Sequence, residues 1–154
     1  MNESLGSTVI IVIIVVFITL VSGYLAFNIN YTKASKMKNK MVDLYEKYKG
    51  DCSNGVSKCY NEIENYAKEI GYNTEEFKCE KGSTLGDKGK YCVEEIHVVS
   101  DNNENDKVSG DLCDRVYYKI TTKPETPKIP VFYYFFSGLR YFSISGDTKI
   151  ICKD

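Results

Sequence analysis

A chain of 154 residues with 20 Lys+Arg against 21 Asp+Glu and a formal net charge of -1 argues against nucleic acid as the main partner, because phosphates require a concentrated basic surface. Less its apolar N-terminal stretch, the chain leaves roughly 100 residues, enough for one modest hydrophobic core and not for two. With 13 tyrosines and no tryptophan, its aromatic mass suits half-exposed sheet faces and protein interfaces.

Residues 1–7 (MNESLGS) form a short N-terminal tail. From Thr8 to Phe27 (TVIIVIIVVFITLVSGYLAF) the chain carries no charge, and about 20 such residues in a helix match the hydrocarbon thickness of a bilayer. The stretch lacks the basic start of a cleavable signal peptide and exceeds its apolar core length, so the helix is expected to stay, although Val21-Ser22-Gly23 has the small residues of a cleavage site. Ser22, Gly23 and Ala26 would let another helix approach closely. The partner expected for this segment is the lipid bilayer.

Residues 28–49 continue the helix without a proline or glycine. Ala34, Met37, Met41, Leu44 and Tyr48 repeat at three and four, a seam of about two heptads that predicts one stripe packed on the following domain rather than a coiled coil. A single helix from about Ser7 to Lys49 would be on the order of 60 Å long. Lys33, Lys36, Lys38 and Lys40 stand just past the apolar run, where they face either anionic headgroups or plain solvent.

Residues 50–154 read as a small α+β domain. Gly50 stops the helix and residues 51–55 have turn chemistry. A second amphipathic helix presents Val56, Cys59, Tyr60, Ile63, Ala67 and Ile70 on one face, with Gly71 in the C′ position. Glu76–Glu80 is a short candidate strand, Lys81–Lys90 a loop rich in glycine and lysine, and Tyr91–Ser100 a better strand. After a polar loop at Asp101–Asp111, Leu112–Thr122 alternates Val116, Tyr118 and Ile120 with Arg115, Tyr117 and Lys119, the pattern of a half-buried antiparallel strand. The segment KPETPKIP cannot be a central strand, because proline donates no ladder hydrogen bond. The remainder reads as strands interrupted at Ser137-Gly138 and at Ser145-Gly146.

Cys52, Cys59, Cys79, Cys92, Cys113 and Cys152 are all in this domain. Zinc wants close cysteine pairs and none occurs, so disulfides are favoured over free thiols or metal. Spacing suggests Cys52 with Cys59 and Cys79 with Cys92, leaving Cys113 for Cys152. Disulfides place the domain in an oxidising, extracytoplasmic compartment. The lysines after the apolar run argue for the opposite orientation, but the first of them is six residues past Phe27 and the cysteines carry more weight.

No catalytic constellation is visible, and the expectation is a protein that is not an enzyme, without cofactor, metal or small-molecule substrate. His97 stands alone in a strand, and a disulfide-bonded Cys92 would be no nucleophile for it. Gly82–Gly86 puts its serine one place too early for a nucleophile elbow. Asp101, Asn103 and Asn105 have the alternate spacing of a calcium loop, but Asp106 replaces its glycine and Leu112 its bidentate glutamate. Glu94 and Glu95 point to opposite faces of a strand and cannot act together. The run Val131, Phe132, Tyr133, Tyr134, Phe135, Phe136 reads either as a doubly buried strand or as an interface patch.

The arrangement resembles the type IV pilin class, most nearly the minor pilins or pseudopilins of tight-adherence (Tad) pili. The resemblance rests on the apolar helix after a short tail ending in Gly6, on the amphipathic extension Asn28–Tyr48, and on the closing pieces RVYYKITT, IPVFYYFFSGL and FSISGDTKII. It implies a pilin-like α+β fold: a long N-terminal helix and a second helix packed on a small antiparallel sheet. It further implies a structural and assembly role without catalysis, among other pilin-like subunits or pilus assembly proteins in the cell membrane. Cleavage after Gly6 puts Ile11 where the class carries a glutamate, and the tail has no lysine or arginine; a membrane-resident accessory subunit fits these departures better than a major pilin. The alternative is a single-pass, membrane-anchored extracytoplasmic binding or sensing module. A tethered enzyme is the third reading, with no site to carry it.

Overall fold

The computed structural model describes residues 2–52, 57–73, 79, 83–85, 90–98, 114–127, 138 and 142–153. It consists of a long helix α1 (Asn2–Lys47), a second helix α2 (Lys58–Glu69) and an antiparallel sheet of β1 (Ser83–Leu85), β2 (Tyr91–His97), β3 (Asp114–Thr122), β4 (Ile144–Asp147) and β5 (Ile151–Lys153). The fold is therefore α+β with a pilin-like layout: an apolar N-terminal helix, a second helix and a small antiparallel sheet.

At 46 residues, α1 is about 70 Å long. It begins at Asn2 rather than near Ser7, so residues 2–7 are its first turns and not a separate tail. Nothing in NESLGS breaks a helix, and the long run behind it supplies the nucleus. The C-terminal end differs in detail from the expected glycine stop. The left-handed position is Lys49, with φ 50°, and Gly50 follows at φ 83°. Lys49 N–H donates to Glu46 O at 3.4 Å and Gly50 N–H to Tyr45 O at 2.9 Å, the two bonds of a Schellman cap. α2 closes the same way: Gly71, φ 61°, donates to Lys68 O at 3.2 Å and Tyr72 to Ala67 O at 2.8 Å. Its N-terminus is capped by the Ser57 hydroxyl, which accepts from Tyr60 N–H at 3.1 Å.

α1 lies across β3 and β4 and against α2. Its seam residues Ala34, Met37, Met41 and Leu44 are buried, together with Cys59, Ile63 and Ala67 of α2 and with Val93, Val116, Tyr118 and Ile120 of the sheet. Tyr48 is half-buried at the rim. On α2 the buried face is narrower than the spacing predicts: Tyr60 and Ile70 are only half-buried. Against the sheet the helix presents the fully buried Ala34, whose carbonyl accepts from the buried Thr122 hydroxyl at 3.1 Å.

β3 is the central strand, antiparallel to β2 from Val116↔His97 to Thr122↔Tyr91, and its alternation is the predicted one. β1 was not expected: Ser83–Leu85 pairs with Cys92–Glu94 inside the stretch read as a loop. Its glycines and lysines mask three residues that β2 recruits as an edge partner. β4 and β5 share the other edge of β3. The expected break at Ser145-Gly146 is inside β4, and the interruption is at 148–150, where three residues oppose Tyr117 and Tyr118. This is a β-bulge, and Thr148 repairs it. Its N–H donates to Tyr118 O at 3.0 Å and its hydroxyl accepts from Tyr118 N–H at 2.9 Å. Gly146 meets the Lys38 stem, which a side chain there would displace, so the glycine makes room for α1 rather than for a turn. Residues 123–127 are irregular, as their prolines require, and run back along α1, where Asn30 Nδ2 donates to Glu125 O at 2.9 Å. The candidate strand Glu76–Glu80, apart from Cys79, lies outside the described residues.

Candidate functional site

The most unusual surface of the molecule is the N-terminal half of α1. Ile10, Ile13 and Phe17 are 59%, 61% and 66% exposed. Burying such side chains is worth roughly 1.5–3 kcal/mol each, so this face is not stable in water. Among the described residues this is the one helix long and apolar enough to cross a membrane. The polar side chains in it are neutralised locally: Thr19 Oγ1 donates to Val15 O and Ser22 Oγ to Ile18 O, both at 2.8 Å, which satisfies each hydroxyl within the helix.

The three small residues expected to admit a second helix do not share one free face. Ser22 is exposed, Ala26 is half-buried and Gly23 is buried within the chain itself. The head begins to cover α1 just beyond them. Phe27 is buried, Tyr31 stacks 6.5 Å from it and Phe142 lies 6.0 Å from Tyr31, with a shallow cleft of about 250 Å³ between these rings.

On another side of the helix a larger open groove of about 610 Å³ is lined by Leu25, Asn28, Ile29, Thr32, Lys33, Lys36 and, from the end of α2, Ile70. Lys33 Nζ reaches across to donate to Gly71 O at 3.2 Å. Sequence reading singled out the lysines but not the groove. Its helical members recur at three and four from Leu25 to Lys36, a face visible only once Ile70 supplies the opposite wall. The two remaining lysines of the basic run are engaged elsewhere, Lys38 against Gly146 and Lys40 5.8 Å from the Tyr66 ring centre.

The end of α1 is fastened to α2 at a small polar node. Tyr48 donates to Glu62 Oε1 at 2.5 Å, and Lys47 Nζ lies 3.4 Å from Glu62 Oε2 and 4.8 Å from the centre of the Tyr48 ring. The Tyr48 hydrogen bond, ahead of Lys47, holds the Glu62 carboxyl below its ordinary range. The disulfide Cys52–Cys59, Cα–Cα 5.0 Å, ties the same turn to α2, and Cys79–Cys92, Cα–Cα 5.6 Å, ties the preceding segment to β2. These are the two pairings the spacing suggests. Cys152 is also disulfide-bonded; its expected partner Cys113 lies outside the described residues.

At the opposite end of the sheet from the apolar helix, β2, β3 and β5 gather a charged cluster. His97 Nδ1 is 3.0 Å from Asp114 Oδ2, and Lys153 Nζ is 2.7 Å from Glu95 Oε1. The Glu95 hydrogen bond, followed by the Tyr118 phenol, raises the Lys153 ammonium above its ordinary value. His97 and Asp114 are more than half exposed, and exposed pairs of this kind contribute at most about 1 kcal/mol. With Cys92 in a disulfide, no nucleophile stands beside His97 among the described residues, and no group of three or more His, Cys, Asp or Glu side chains there could hold a metal ion. The aromatic run Val131–Phe136 and the loop Asp101–Asp111 both lie outside the described residues.

Compared with known protein families, curated proteins and solved structures, the chain finds no match.

Proposed function

We propose that this chain is a membrane-anchored, pilin-like structural subunit, of the minor-pilin or pseudopilin type, in a Tad or related type IV pilus or secretion assembly. The observation that carries the reading is the division of one uninterrupted helix. From Val9 to Ile18 its apolar side chains are exposed and find no cover among the described residues, whereas from Ala34 to Leu44 the same helix is the core of the head. A helix built this way cannot be released from the head without unfolding it, so whatever receives the apolar half also holds the head rigidly. In a bilayer that receiver is lipid; in an assembly it is the apolar helices of neighbouring subunits, an exchange of one apolar environment for another. The disulfides support an extracytoplasmic head on a single-pass anchor.

The rival reading, an anchored binding or sensing module, draws on Ile11, which stands where the pilin class carries a glutamate. Mass spectrometry of the native protein separates the two when combined with shearing of intact cells. The pilin reading expects a chain beginning at Ser7, recovered in part with sheared surface filaments or crosslinked to other apolar-helix subunits. An intact Met1 or Asn2 in a chain found only as a membrane-bound monomer would establish the plain anchor instead. Thiol labelling of intact cells tests the placement: free cysteines shielded by the membrane would overturn the extracytoplasmic head.

A further inference from the structure

We infer that the groove between α1 and the end of α2 is a binding site for an anionic phospholipid, an inference that rests on α1 being a membrane span. The walls of the groove change character along the helix axis. Leu25 and Ile29, with Ile70 opposite, make an apolar lower part; Asn28 and Thr32 follow; Lys33 and Lys36 close the upper part, and among the described residues no acidic side chain lines it. This is the order of a lipid seen from the side: acyl chain, ester-level polar groups, phosphate.

The depth agrees. The apolar run ends at Phe27, and a rise of 1.5 Å per residue puts the Lys33 backbone about 9 Å and the Lys36 backbone about 13 Å beyond it. Headgroups occupy roughly 5–7 Å on each side of the hydrocarbon, and long lysine stems extend back along apolar surface to bring their ammonium groups to that level. Lys33 is already oriented, because one of its three N–H groups is held by Gly71 O, which leaves the others for a phosphate oxygen. Lys36 is exposed beside it.

Two further observations narrow the occupant. Lys38 and Lys40 are turned to Gly146 and Tyr66, so the positive charge at the groove is a pair in one place and not a diffuse basic belt. A second copy of the chain docked in the same groove face to face would set lysines against lysines, whereas a phosphodiester neutralises them. The volume, about 610 Å³, has room for part of one lipid: a glycerol with its phosphate and the upper acyl carbons.

The test is lipid retention by the full chain. Protein reconstituted in bilayers of phosphatidylcholine with a minority of phosphatidylglycerol is released into native mass spectrometry, and the bound lipids are counted against the bilayer composition. Near-surface lysines each favour anionic lipid by roughly fivefold. Wild type is expected to enrich phosphatidylglycerol at least that much, Lys33→Gln with Lys36→Gln to abolish the enrichment, and Lys36→Arg and Lys38→Gln to keep it. No enrichment in wild type, an equal loss with Lys38→Gln, displacement of the lipid by inorganic phosphate, or a lipid-free dimer would each overturn the site. Carbonate washing distinguishes the two levels of the argument. A chain that stays in the bilayer without lipid preference overturns the groove alone, and a chain stripped from the bilayer overturns the membrane span as well.

Discussion

The ring of Tyr118 fills the space that a side chain at residue 50 would need. A Cβ built on Gly50 would lie 2.6 Å from Tyr118 Cε2, closer than any real contact, and the backbone there has φ 83°. The turn that ends α1 therefore rests directly on the central strand, and Gly50 is fixed by packing as well as by conformation. Gly50→Ala adds a left-handed non-glycine residue, about 1–2 kcal/mol, to an overpacking cost of about 1–3 kcal/mol. We expect a loss of roughly 2–5 kcal/mol in urea denaturation of the full chain in detergent. In a Tyr118→Val background only the conformational part should remain, so the two changes must be non-additive. Equal penalties in both backgrounds would show that the contact does not constrain the turn.

The same contact marks what periodicity alone could and could not disclose. The seam from Ala34 to Leu44 was legible because one helix face meets one sheet face, and the spacing of three and four records that directly. The alternation of Val116, Tyr118 and Ile120 was legible for the same reason, and two disulfides followed from short sequence separations. What escaped depends on partners distant in sequence. β1 is a strand only because β2 offers an edge. Gly146 looks like a break until Lys38 is seen lying over it, and Gly50 looks like a simple helix stop until the Tyr118 ring is seen packed against it. The groove at Lys33 and Lys36 needs Ile70 from another helix, so no local pattern reveals it.

Alkaline pH should unfold the head before it affects the span. Tyr45 and Tyr72 are pushed up to about 12, chiefly by burial. Tyr72 is also held by polar partners: its hydroxyl lies 2.9 Å from Lys90 O and 3.1 Å from Lys123 O, and it accepts Lys123 N–H at 3.3 Å. An acid whose folded pKa exceeds its unfolded value of about 10 stays neutral in the folded protein while the unfolded chain ionises. The stability held by each tyrosine is complete below pH 10 and is lost between about pH 10 and 12, on the order of 2–3 kcal/mol per residue. The part of the tyrosinate absorbance that Tyr45→Phe and Tyr72→Phe remove should rise together with loss of the fold across this range, and Tyr72→Phe should reduce the pH dependence of stability. Titration of that part well before unfolding would contradict the burial of both phenols.

Reduction should loosen the head at two separate places. The Cys52–Cys59 and Cys79–Cys92 loops span 7 and 13 residues, for which the loop-entropy model gives about 2.5 and 3 kcal/mol. Cys52→Ser with Cys59→Ser frees the end of α1 from α2 and should raise hydrogen exchange at residues 48–52 and in the first turn of α2. Cys79→Ser with Cys92→Ser should leave that turn protected and weaken the β1–β2 edge. If both pairs of substitutions raise exchange uniformly across the head, the two bridges act on one cooperative unit instead.

The division of α1 predicts that mutations in its two halves separate membrane insertion from folding. Ile13 is 61% exposed and Met41 is fully buried, yet both belong to one helix. A lysine at residue 13 stands in the apolar window, where a charge costs about 2.5–3.5 kcal/mol on insertion scales, and among the described residues it touches no part of the head. Ile13→Lys should shift the chain out of the carbonate-resistant membrane fraction while leaving the urea midpoint of the head in detergent unchanged. Met41→Ala should do the reverse, leaving insertion intact and costing about 2–5 kcal/mol by opening a cavity between the seam and β3. The outcome that would sink the division is a coupled one. If Met41→Ala also releases the chain from membranes, the head and not the apolar half holds it there; if Ile13→Lys destabilises the head, its exposed face is covered in solution by part of the same domain.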